Sequence, residues 1–147
     1  MNASKAILAL NRLLGLLCRS LPAYLADAPP WTRGNHRRLW AAFERLFADQ
    51  QLYADRVAKA IVDLGGHPTP GPFPGEFASK NDLSAAFLLR EAIDYLEQDI
   101  SSIEQCCVQL EGDSALHALA EEILGNAKGH LDLLGEVAKA EEAKIAD

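Results

Sequence analysis

Apolar residues recur along this chain at alternating steps of three and four, the spacing that lines one face of an α-helix. Four segments carry the pattern. The first holds Ile7, Leu10, Leu14, Leu17, Leu21 and Tyr24, and the second holds Leu39, Phe43, Leu46, Val57, Ile61 and Leu64, with Gln50 and Tyr53 filling its middle steps. Leu89, Ile93, Leu96, Ile100, Ile103, Cys107 and Leu110 form the third stripe, and Leu116, Leu119, Ile123, His130, Leu133 and Val137 the fourth. No strand-like alternation competes. Stripes this regular set helices nearly parallel, so the pattern predicts an all-α four-helix bundle, one domain over residues 1–147. Pro22 lies inside the first segment, where it should kink or end the helix.

The breaks between segments give the connectivity. Asp27–Asn35 and Gly65–Asn81 are rich in Pro and Gly, and a weaker break falls at Glu111–Ser114, where Gly ends one helix and Asp or Ser caps the next. Short links after the first and third helices make two antiparallel hairpins. The middle link is long enough to travel the height of the bundle, and its Pro and Gly suit a surface crossover instead of a fifth helix.

Composition narrows the classes of function. Apolar residues at 49% and charged residues at 24% are the balance of a globular chain. The longest apolar stretch, Ala6–Leu17, is interrupted by Asn11 and Arg12, too short and polar to cross a bilayer. No membrane association is expected, and without a secretory pattern at the start the cytoplasm is the expected compartment. A formal charge of −7 disfavours nucleic acid, whose phosphates need a basic face. The basic group Arg33, His36, Arg37 and Arg38 is short and reads as solvated surface. His67 and His117 read the same way. Cys18, Cys106 and Cys107 make no metal or redox motif and read as free thiols, mostly buried. Trp31, Trp40, Phe43, Phe47 and Phe87 read as packing aromatics.

Polar residues on the stripes carry what functional information there is, since a bundle core should be apolar. Gln50 and Tyr53 sit halfway along the second helix, Asp94 flanks the stripe of the third, and His130 lies on the stripe of the fourth. In antiparallel helices of similar length these four should meet at one height.

The run Leu124–Leu134 (LGNAKGHLDLL) resembles the fourth helix of bacterioferritins, where Glu-x-x-His precedes a similar apolar tail; here it reads Ala127-x-x-His130. The run Leu39–Gly66 resembles the second helix of ferritins and of Dps mini-ferritins, including the closing Leu-Gly-Gly. The resemblance spans most of the chain and implies a ferritin-like four-helix bundle, two antiparallel hairpins joined by a long crossover. It also implies a mid-bundle di-iron carboxylate site. At the family's ligand positions, however, Gln50 and Tyr53 replace one Glu-x-x-His, Leu17 or Cys18 the first-helix glutamate and Ala127 the fourth-helix one. Asp94 falls at the third-helix glutamate. His130 and Asp94 are therefore the surviving metal-ligand candidates, with Glu91, Glu97, Gln50 and Tyr53 as neighbours. At the intersubunit iron ligands of Dps stand Pro30 before Trp31, then Trp40, Asp55 and Lys59, and the basic Dps tail is reduced to Lys5.

The favoured expectation is a non-catalytic ferritin-like protein with a degenerate di-iron site, acting through assembly or partner binding. On this reading Asp94 and His130 hydrogen-bond to each other and fix the bundle's register. The alternative is an iron-binding, iron-oxidising (ferroxidase-type) or storage protein with an altered site. A third reading takes a small ligand or a single metal in the bundle interior. No cofactor is assigned; iron or another divalent metal is the ion the alternatives would use. A homo-oligomer, at least a dimer, is expected, because ferritin-like hairpins commonly dimerise.

Overall fold

The computed structural model describes residues 1–27, 36–82 and 84–146; Pro30, Trp31 and Arg33 lie outside these. Among the described residues the regular structure is helical: α1 (Ala3–Cys18), α2 (Leu21–Asp27), α3 (Arg37–Asp63), α4 (Ala85–Gln109) and α5 (Ser114–Ala146). The first apolar segment is thus two helices. α1 stops at Cys18 and the chain restarts at Leu21, with Pro22 in the first turn of α2, where its missing N–H costs no helical bond.

Side chains close the helix ends, at Asp113 as the sequence suggests. Asn2 accepts from Ser4 N at 2.7 Å, Ser84 from Phe87 N at 3.3 Å and Asp113 from Leu116 N at 3.0 Å, each satisfying a first-turn donor. α3 ends in a Schellman turn. Gly65 adopts φ +84°, its N–H bonds Val62 O at 2.9 Å and Gly66 N bonds Ile61 O at 2.9 Å. Gly66 is also a close approach: a Cβ there would lie 2.9 Å from the Ile7 side chain.

α1 packs on α3 and α4 on α5, giving the two hairpins. The hairpins meet through α1 against α4 and α3 against α5, while α2 lies on α3. Ion pairs and hydrogen bonds give the directions. Arg12 donates to Gln105 at 2.6 Å, and Cys106 Sγ lies 3.7 Å from Ala9 O, so α1 and α4 run antiparallel. Arg56 bonds Glu122 at 2.5 Å while Asp49 meets His130, so α3 and α5 do too. Leu10, Leu13, Leu39, Ile61, Leu88, Leu110 and Ile123 fill the centre with almost no exposure. Cys106 and Cys107 are buried, Cys18 is half-buried, and all three are free thiols.

The crossover from α3 to α4 carries a 3₁₀ helix over Gly75–Asp82, a short element the composition did not suggest. Aromatic side chains hold it down. Phe77 is 2% exposed and stacks edge-on with Tyr95 of α4 at 5.3 Å, and Phe73 does so with Tyr24 of α2 at 5.4 Å. Asn11 fixes its start, donating to His67 O at 3.1 Å and accepting from Thr69 N at 2.7 Å. The polar interruption of α1 therefore anchors the crossover. Among the described residues no helix is long and apolar enough to cross a membrane.

Candidate functional site

His130 is 7% exposed and sits mid-way along α5, facing α3. Its Nε2 lies 2.7 Å from Asp49 Oδ2, and Asn126, one turn earlier on α5, donates Nδ2–H to the same oxygen at 2.9 Å. Asp49 is half-buried. The Asn126 hydrogen bond, then the His130 hydrogen bond and charge, hold its carboxyl below the ordinary range against the opposing effect of burial.

The neighbouring residue faces the other way. Gln50 is 6% exposed, and its Oε1 accepts from the Ser20 hydroxyl at 2.7 Å. Ser20 in turn accepts from Ala23 N at 3.2 Å, capping α2. Gln50→Leu would leave the buried Ser20 hydroxyl without its acceptor and should cost about 1–2 kcal/mol in a urea titration. An unchanged midpoint would show that the pair contributes nothing.

Tyr53 stands at the edge of the bundle, not in its centre. It is half-buried beside Glu122, and the Arg56 guanidinium lies 5.4 Å from its ring centre. Burial first, and Glu122 second, push its hydroxyl pKa up.

The expected pairing of Asp94 with His130 is not formed. Asp94 is exposed, because Ala92 and Leu96, two residues to either side, are buried, and two residues are about 200° of helical rotation. Glu97 is exposed, and Glu91 turns outward to Lys80 at 3.4 Å. The carboxylates of α4 predicted to neighbour His130 therefore do not reach it. Asp99 is the α4 carboxylate that faces inward. It is half-buried, and desolvation, partly offset by the Arg19 charge, raises its pKa to about 6. Together with Gln50, Asn126, Leu17, Leu96 and Ala127 it borders a mid-bundle void of about 20 Å³.

Asp49, Asn126, Asp99 and Ser20 are the polar residues that the stripes alone missed. Two signals were present. Asn126 and His130 are four apart and so share a face, and Asp99 lies three after Leu96 and four before Ile103.

No family model matches the chain, and no curated protein matches it in sequence. The backbone does match solved structures. One is a protein of Bacillus anthracis str. Ames described as ferritin-like and diiron-carboxylate, 23% identical, over 94% of this chain and 99% of that one, with a TM-score of 0.75. The fold is ferritin-like. At that level of identity the likeness establishes the arrangement of helices alone.

In this ferritin-like frame the mid-bundle level is filled by Leu17, Gln50 and Ala127, all buried, with Asp99 on its border. A void of about 20 Å³ holds roughly one water molecule. Among the described residues no three His, Cys, Asp or Glu side chains come together in a group that could hold a metal ion.

Proposed function

We propose that this ferritin-like bundle performs no di-iron chemistry and acts through assembly or partner binding. The observation that carries the reading is the pairing at mid-bundle. His130 presents its Nε2 to Asp49, and Gln50 presents its oxygen to Ser20, so both groups are turned to internal partners. A pair of iron ions needs several carboxylate oxygens to offset its charge. Among the described residues the void at this level is bordered by one carboxylate, Asp99, beside two carboxamides and apolar side chains, while Asp49 is committed to Asn126 and His130. These residues do not fit a di-iron pair.

Assembly is supported by large apolar side chains left open on three helices: Leu8 on α1, Leu52 and Val62 on α3, and Val108 on α4, each 58% to 75% exposed. Light scattering should give the mass of a dimer or a larger homo-oligomer. Adding Fe(II) in air should leave oxygen consumption at the protein-free rate. Stoichiometric iron uptake with accelerated oxidation would overturn the reading in favour of an iron-oxidising or storage protein.

A further inference from the structure

At the corner between α1 and α2 a cleft of about 180 Å³ opens against the crossover and the middle of α4. Its walls are apolar, from Leu16, Leu21, Pro74 and Phe77, and two charged side chains line it, Arg19 and Asp99. Ser20 and Tyr95 also line it, but their hydroxyls are committed, to Gln50 at 2.7 Å and to Glu76 at 2.6 Å.

The two charges share the cleft without joining. Arg19 Nε donates to Gly15 O at 3.2 Å, and the guanidinium lies over Gly15, where a Cβ would collide with it. The missing side chain at position 15 is what lets the guanidinium rest there. Its charge is felt at Asp99, yet among the described residues the Asp99 carboxylate receives no hydrogen bond. A half-buried carboxylate without a donor is a costly group, and a donor arriving from outside would recover part of that cost.

We propose that this cleft binds a small zwitterion of the α-amino-acid class, with its ammonium on Asp99 and its carboxylate on Arg19. A simple cation would satisfy Asp99 but sit beside a guanidinium, and a simple anion would satisfy Arg19 but meet a carboxylate. Only a ligand carrying both charges completes both groups, and an Arg fork matches a carboxylate in shape as well as charge. The space holds on the order of six water-sized groups, the size of a small amino acid. Leu21 and Phe77 offer apolar contact to a short aliphatic side chain. The cleft opens from the side of α1 and α4, and Asp99 is the carboxylate it shares with the mid-bundle void.

The test is thermal shift and titration calorimetry at mildly alkaline pH, with L-alanine, L-valine and glycine against ethylammonium and acetate. The amino acids should raise the melting temperature saturably, and the two single-charge probes should not. Asp99→Asn keeps the shape and removes the charge, and should weaken binding about tenfold or more. Arg19→Gln should weaken it similarly, and Gly15→Ala, which dislodges the guanidinium, should weaken it through the carboxylate end. Ethylammonium or acetate binding as well as the amino acids would overturn the proposal. So would unchanged affinity in folded Asp99→Asn, or no saturable response to any amino acid.

Discussion

Asp99→Asn is expected to raise the stability of the protein at neutral pH by about 2 kcal/mol. Desolvation moves the folded carboxyl from its ordinary 3.8 to about 6, so folding is favoured by the protonated form. The sign follows from linkage. The folded pKa lies above the unfolded one, so the stability tied to this group is fully present below about 3.8 and is lost as pH rises through about 6. That interval corresponds to about 3 kcal/mol, and the residue's partial exposure brings it nearer 2. Arg19, just past the end of α1, already lowers the penalty. Asparagine carries no charge to desolvate, so its advantage should be large at neutral pH and vanish in acid. Urea titrations of both proteins across that range measure the difference. A constant gap at every pH would mean that Asn acts through packing instead. A group that costs stability and lines a cleft is also the pattern expected where a site is kept for binding.

His130→Ala should cost about 3 kcal/mol. The substitution empties a buried volume between α3 and α5 and removes a donor from Asp49, and the two losses add. A double-mutant cycle with Asp49→Asn separates them: a coupling of about 1–2 kcal/mol is expected for a hydrogen bond to a charged partner. Chelating divalent ions should change none of the four stabilities. A chelator that destabilised only the proteins retaining His130 would point instead to a bound metal. The acid limb is informative too. The Asp49 carboxyl is held below its ordinary 3.8, so its contribution is present above that value and lost as pH falls through the folded pKa. Without His130 one of the two donors is gone, and that acid-dependent loss should shrink.

The hairpins and the crossover were legible because periodicity reports burial directly, and Pro22 marked its break through a rule of backbone chemistry. Asp94 shows where the same reasoning thins out. A residue one step from a stripe can belong to either flank, and one position is about 100° of rotation, enough to turn a ligand into a surface group. Asp99 and Asp94 are equally acidic in the sequence, but Asp99 keeps the three-and-four spacing to Leu96 and Ile103 and Asp94 does not. Asp49 lies off the stripe because Gln50 beside it holds the interior position, and His130 takes its partner from the flank of α3. The aromatic anchoring of the crossover was hidden for a different reason. Phe73 and Phe77 lie in a Pro/Gly-rich stretch with no period to show their burial.

The paired thiols of α4 offer a clock. Cys106 and Cys107 are enclosed on either side of the helix ridge, and burial first, with Glu121 adding to it, lifts the Cys107 pKa to about 11. A thiolate forms less readily there than at an open position, so the rate of alkylation at these two positions counts opening events, while half-buried Cys18 reports the local breathing of the α1 terminus. The native sequence therefore carries two built-in probes of different depth. Mass spectrometry of timed labelling should resolve them, the adjacent pair reacting together and late, and Cys18 early.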